Sequence, residues 1–409
     1  MNLKWIMMVL FLIAAAFELL TRILMKRSVN RPIPESVSDV YDGETYSKWL
    51  RYAEEKSKLS TVRHVISSVL SFLLLILNGY AFAARPFQND YSAAFIVLLV
   101  SLLVSLVVEI PTEYYDTMSI EERYGFNQST KKTFWMDQLK NLVINAAINF
   151  GIVSLFILLH QKMGDGVLIL FAALLFVIIL FISFISPILM KVFNKFTPME
   201  DSELKTRLTE LLEGHGYKVR DIQIMDASRR TTKSNAFFTG FGKMKTIVLY
   251  DNLVNAFTDD EICAVFAHEM GHGIHKDVQK GQLLNLLNVA LITVLMWLNV
   301  KIPEFSLSFG FDRVNYGFAL ILLMEVEMAF LSPLMGLLTN AISRRHEFRA
   351  DAQAVKEGYG DALISGLKRL GRENFAMLSP LPLLVKLTYD HPPLSERIDA
   401  IQKLEQKNS

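Results

Sequence analysis

The stretch "HEMGHGIHKDVQKGQLLNLLNVAL", His268 to Leu291, sets two kinds of chemistry end to end. It opens with two histidines and a glutamate, and it closes as an apolar run suited to a bilayer. His268 and His272 lie four residues apart, so on a helix both imidazoles leave the same face and can grip one ion. Glu269, beside the first histidine, is placed to take a proton from water at that ion. This is the H-E-x-x-H pattern of zinc hydrolases. The chain therefore reads as one that fixes a metal at a membrane boundary.

Composition points the same way. Of 409 residues, 52% are hydrophobic and only 20% charged, a balance that fits a polytopic, mostly α-helical membrane protein. Seven windows are apolar enough to cross about 30 Å of hydrocarbon as helices. They are approximately Trp5–Met25, Val65–Ala84, Ala93–Ile110, Leu142–Leu159, Val167–Met190, Leu283–Val300 and Gly317–Leu338. The first could be a cleaved signal ending at Ala14, Ala15 and Ala16, but its hydrophobicity continues into "LLTRILMKR", which favours an uncleaved span. Glu18 and Arg22, four apart within it, can neutralise each other.

Lysine and arginine gather in "KRSVNR", "KWLRYAEEKSK", "STKK" and "ISRRHEFR", segments that follow odd-numbered spans. Those segments are expected in the cytoplasm, with the N-terminus outside or lumenal and the C-terminus inside. The membrane would be the plasma membrane in a bacterium and the endoplasmic reticulum in a eukaryote. The "NQS" sequon at Asn127 then faces the wrong side for glycosylation. A net charge of +1 without a basic stripe argues against nucleic-acid binding. Cys263 is the single cysteine, so a metal must be held by His, Asp or Glu.

Residues 1–190 read as a membrane domain of five spans with cytoplasmic loops. Residues 191–409 read as a peptidase domain that carries the HEMGH helix, spans six and seven, and a C-terminal helical segment. Within it "ELKTRLTELLEGHGY" is an amphipathic helix, and "VRDIQIMDA", "SNAFFTGF" and "KTIVLYD" suggest a small β-sheet. Thr258 and Glu261 form a capping box for the HEMGH helix.

A catalytic zinc normally takes three protein ligands and keeps one open position. The best third ligand is Glu347 in "RRHEFRADAQA", directly after span seven. Asp351, four residues on, is placed to accept the outer N–H of a ligand histidine. His346 is about 100° round the helix from Glu347 and is the weaker candidate. His275 reads as solvated or as an outer contact. Glu325 and Glu327 inside span seven are costly against lipid, so one of them is expected to face a hydrated interior.

"HEMGH" followed by "EFRAD", with seven spans, resembles the CAAX prenyl protease 1 family, the Ste24-type zinc metalloproteases of peptidase family M48. The resemblance extends to "EERYGFNQST" (Glu121–Thr130), "FNKFTPMEDSELK" (Phe193–Lys205), "SNAFFTGFGKMKTIVLYDNL" (Ser234–Leu253) and "DHPPLSERI" (Asp390–Ile398). The first two, with the seven-span layout, separate it from four-span heat-shock protease relatives. The resemblance implies a gluzincin-like α+β domain and one zinc per chain on His268, His272 and Glu347, with Glu269 as general base and Asp351 assisting. It also implies that Asn235 and Ala236 pair with the substrate backbone, and that His391 and Arg397 approach the scissile carbonyl. Ordinary capping of a final helix is the alternative for the last two. A chamber walled by seven helices is implied as well.

The expected activity is hydrolysis of peptide bonds near the C-terminus of membrane-tethered, CaaX-type proteins, prenylated ones included, by a monomer in the bilayer. Two other readings stand beside it. One is a quality-control protease indifferent to prenylation, and the other is a non-enzymatic membrane protein with structural zinc. Structural sites usually close with four protein ligands, and three are offered here.

Overall fold

The computed structural model describes residues 3–229, 231, 235–239 and 244–408. Ser234 and residues 240–243 of the "SNAFFTGFGKMKTIVLYDNL" stretch lie outside them. Helices α1 (Leu3–Ser28) and α2 (Gly43–Ile76) pack on each other. The first half of α2 is charged and the second is apolar, so one rod leaves the bilayer without a break. It stops at Asn78, whose φ of 56° is left-handed, and a short α3 (Gly79–Ala84) follows. The expected span Val65–Ala84 is therefore two helices.

Helix α4 (Asp90–Tyr115) contains Pro111 and passes into a π-helical turn, Asp116–Glu121. Helices α5 (Lys131–Met163) and α6 (Val167–Phe193) meet through one 3-10 turn, Gly164–Gly166, with Gly164 at φ 54°. By length and apolarity the described residues then contain six candidate spans, because Lys131–Phe181 runs as a single stretch of 51 residues. The difference from seven windows lies in that short turn, which barely interrupts the hydrophobic run.

The segment between the spans folds as a mixed sheet. Strands β1 (Phe196–Pro198), β2 (Lys218–Met225), β3 (Ala236–Thr239) and β4 (Met244–Tyr250) lie in the order β1-β2-β4-β3. Only the β2–β4 pair is parallel. Helix α7 (Glu203–Gly214) follows β1, and α8 (Asp251–Ala256) leads to α9 (Asp259–Ile274). The capping box is formed: Glu261 N donates to Thr258 Oγ1 at 3.3 Å and Thr258 N donates to Glu261 Oε2 at 3.0 Å.

Helix α10 (Asp277–Lys301) returns to apolar sequence and α11 (Glu304–Leu307) ends it. The last span is α12 (Tyr316–Ile321), a π-helical turn at Leu322–Met328, and α13 (Ala329–Lys356), which carries on past the apolar run. In the turn Glu327 is buried and accepts from Asn299 Nδ2 at 3.1 Å. Glu325 accepts from Ser101 Oγ at 3.1 Å and, with His64 and Asn340, lines a cavity of about 520 Å³. Both carboxylates are thus bonded to side chains of other helices.

Helices α14 (Gly360–Glu373), α15 (Pro382–Thr388) and α16 (Leu394–Asn408) complete the chain. They lock onto the start of the molecule, where Trp49 Nε1 donates to the Phe375 carbonyl at 2.9 Å. Val37, Tyr41, Leu378 and Ile398 close a core around that bond.

The contact that positions the site is the crossing of α9 and α13. Ala264, Ala267 and Gly271 are small and buried on α9, and Ala350 and Ala354 answer them on α13. A Cβ built on Gly271 would lie 2.9 Å from Ala350 Cα and 3.2 Å from its carbonyl oxygen. Backbone cannot yield there as a flexible side chain can. Gly271→Ala is expected to force the helices apart, at a cost of about 1–3 kcal/mol typical of overpacking. Thermal unfolding followed by circular dichroism in detergent checks this; an unchanged midpoint would contradict the close crossing.

Candidate active site

Helix α9 is held on two sides. Ile262, Phe266 and Met270 pack with Ile222, Ile247 and Leu249 of the sheet, and the small residues pack on α13. Its N-terminus is pinned by Glu261, which accepts from Ser365 Oγ at 2.6 Å and Arg369 Nη1 at 2.9 Å on α14. What remains free to face the interior is the strip carrying His268, Glu269 and His272.

The crossing delivers Glu347 of α13 to that strip. Its Oε1 lies 3.3 Å from His272 Nε2, and its Oε2 lies 3.5 Å from His268 Nε2. One ligand atom from each of the three residues lies within 4.8 Å of the others. Glu347 Oε2 is buried without a hydrogen-bond partner. A buried anionic oxygen that makes no hydrogen bond, with His268 Nε2 and Arg397 Nη1 each 3.5 Å away, is incompletely satisfied by protein alone. It fits a cation held by the three residues.

Each histidine has its outer nitrogen on a carboxylate. His268 Nδ1 donates to Asp351 Oδ1 at 2.8 Å, and His272 Nδ1 donates to Asp277 Oδ2 at 3.2 Å. Those bonds fix the tautomer in which Nε2 offers its lone pair to the site. Burial lowers the proton affinity of His272, but the Glu347 and Asp277 carboxylates outweigh it, and its pKa lies above the ordinary value.

Asp351 is also gripped by Arg397 of α16, whose Nε and Nη2 donate to its two oxygens at 2.9 and 2.6 Å. This fork is the bidentate geometry that a guanidinium favours. Burial works against the Arg397 charge and the Asp351 carboxylate restores it, with a net rise in pKa. Arg397 Nη1 is left 3.5 Å from Glu347 Oε2, on the rim of the metal-fitting cluster. His391 is 59% exposed and its Nε2 lies 3.4 Å from Glu347 Oε1. Neither side chain is confined to capping α16.

A cavity of about 300 Å³ opens on this cluster. Glu269, His391 and Arg397 line it, as do Asn235 and Ala236. The last two sit where the chain enters β3, an edge strand of the sheet. The nine residues that the family resemblance assigns to the site therefore come together, with Asp351 one layer behind His268.

Asp277 was not among them. It is buried at the head of α10, and its Oδ1 accepts from Arg349 Nη2 at 2.8 Å. His346, the weaker ligand candidate, lies with Nδ1 3.4 Å from the same oxygen and outside the His-His-Glu cluster. What aims Asp277 back at His272 is Lys276, at a left-handed φ of 57°. The only sequence signal was an acid five residues beyond a ligand histidine. Asp277→Asn is expected to weaken metal affinity about 10- to 100-fold with helical content unchanged. Competition against a chromogenic chelator measures it, and wild-type affinity would contradict the role.

Membrane helices closing on a paired-histidine and glutamate cluster define a membrane metallopeptidase. Comparison with known proteins agrees: a model described as "CAAX prenyl protease N-terminal, five membrane helices" matches residues 22–195, and "Peptidase family M48" matches residues 198–405. The chain belongs to the CAAX prenyl protease 1 branch of peptidase family M48. It is 32% identical to CAAX prenyl protease 1 of Saccharomyces cerevisiae, over 92% of this chain and 89% of that one. It is 30% identical to the probable CAAX prenyl protease 1 of Schizosaccharomyces pombe, over 90% and 81%. The crystal structure of S. mikatae Ste24p superposes with a TM-score of 0.89 at 28% identity, covering 98% of this chain and 99% of the other. The chain is an integral, multi-pass membrane metallopeptidase.

Proposed function

We propose that this chain is a zinc metalloendopeptidase that cuts membrane-tethered, CaaX-type prenylated proteins near their C-terminus. The observation that carries the reading is that His268, His272 and Glu347 converge within 4.8 Å in a cavity that Glu269 and the edge strand β3 also line. Zinc is favoured over harder ions because two imidazoles and one carboxylate form its usual catalytic donor set. When bound, it supplies Lewis-acid polarisation of a carbonyl and of water.

The remaining chemistry belongs to side chains. An extended substrate adds to β3 by main-chain hydrogen bonds at Asn235 and Ala236, which sets the scissile bond over the cluster. The Glu269 carboxylate takes one proton from the attacking water as its oxygen bonds to the carbonyl carbon. It then returns that proton to the amide nitrogen, and the C–N bond breaks. Arg397, held by Asp351, and His391 donate to the oxyanion that forms in between. Asp351 and Asp277 hold the two imidazoles in the productive tautomer.

The architecture in this proposal is seven spans, with α5 and α6 crossing separately, around an interior that admits a lipidated tail. Residues 1–190 form the membrane domain and 191–409 the peptidase domain, the latter cytoplasmic with the C-terminus, and the protein works as a monomer. The basic clusters of the odd-numbered segments support the orientation.

Purified Glu269→Gln protein is expected to retain metal and lose peptidase activity by at least about a thousandfold, on the scale of lost general-base and electrostatic catalysis. Retained activity would overturn the mechanism. For the wild type, chelation should abolish cleavage of a farnesylated CaaX peptide and zinc should restore it. The same peptide without its isoprenoid should be cut far more slowly; equal rates would favour the quality-control reading instead.

A further inference from the structure

A third cavity, of about 690 Å³, lies between α1 and α2 and is larger than the one at the peptidase site. It is separate from that site and shares none of its residues. Its walls change character along their length. Leu19 and Ile23 on α1 and Val62 on α2 are apolar and 38%, 43% and 52% exposed. Arg22 stands among them, and Lys26, Arg51 and Lys58 stand beyond, opposed among the lining residues by one acid, Glu54.

Only part of this charge is neutralised by neighbouring acids. Glu54 pairs with Lys58 at 2.8 Å, and Glu18 lies 3.6 Å from Arg22. Lys26 and Arg51 have no carboxylate within ion-pair distance among the described residues. Arg22 is engaged by its neighbours, its Nη1 donating to Ser60 Oγ on α2, and only its buried Nε has no hydrogen-bond partner. The place is also fixed: Ser28 Oγ, at the end of α1, accepts from Leu381 N at 2.9 Å, and Trp49 on α2 is bonded to Phe375. The cavity therefore sits at the mouth of the spans on the side of the peptidase helices, where apolar α1 gives way to "KRS".

We propose that this cavity binds an anionic phospholipid, with its phosphate between Lys26 and Arg51 and its acyl chains along Leu19, Ile23 and Val62. Charge complementarity selects an anionic head over a zwitterionic one, since each basic group near a membrane surface contributes attraction. The exposed apolar wall selects a lipid over a soluble phosphate, because free phosphate would leave that wall in water. The volume falls within the range of built small-molecule sites. A lipid there would join α1 to α2 just where both leave the bilayer.

Native mass spectrometry of the full chain tests the proposal. The protein is released from nanodiscs of phosphatidylcholine with phosphatidylglycerol, and retained lipids are counted. The expected result is retention of phosphatidylglycerol over phosphatidylcholine by the wild type, and on the order of a tenfold fall in that retention for Lys26→Gln/Arg51→Gln. Lys131→Gln/Lys132→Gln, which removes as much charge at another span end, should retain it fully. Displacement by glycerol 3-phosphate, equal loss in both double variants, or no preference for the anionic lipid would each overturn the proposal. Melting temperature of each variant is read in parallel; a destabilised Lys26→Gln/Arg51→Gln protein is replaced by Lys26→Arg/Arg51→Lys, which should keep the lipid, and loss there would also overturn it.

Discussion

The functional cluster depends on how closely two helices can approach. Helices α9 and α13 come from parts of the chain about eighty residues apart, and each carries an incomplete half of the cluster. Gly271 and Ala350 let their backbones touch. A side chain at Gly271 would press on the Ala350 backbone and push apart the helices that bring His268 and His272 to the Glu347 carboxylate. The glycine inside "HEMGH" is thus a packing requirement in the middle of the chemistry.

Around that crossing, charge is arranged in layers. Three donors face inward, and two carboxylates, Asp351 and Asp277, hold the outer nitrogens of the histidines. Two guanidinium groups, from Arg397 and Arg349, then neutralise those carboxylates. Each layer satisfies the one inside it, which is how so many titratable groups tolerate burial together. The layers come from α9, α10, α13 and α16, so the site cannot be complete until the C-terminal helix has docked. Because α10 and α13 continue into apolar spans, the same helices that orient the ligands also tie them to the bilayer.

Much of this was legible in the sequence where a short-range rule applied. The four-residue spacing of His268 and His272 and the adjacency of Glu269 require only a helix, and Thr258 with Glu261 announced where it starts. Glu347 was legible as an acid set just beyond an apolar run. What escaped depends on backbone or tertiary detail. Asp277 reaches His272 because Lys276 adopts a left-handed conformation, which no lysine advertises. The fork of Arg397 on Asp351 joins residues with no periodic relation. Strand β1 is three residues ending in Pro198, too short to leave an alternating pattern.

The central claim is that α9 and α13 jointly hold one divalent ion, and crystallography at the zinc absorption edge tests it most directly. The account predicts a single anomalous peak bounded by His268 Nε2, His272 Nε2 and the Glu347 carboxylate. A peak bound elsewhere, or one from which Glu347 is withdrawn while a fourth side chain closes the coordination, would contradict it.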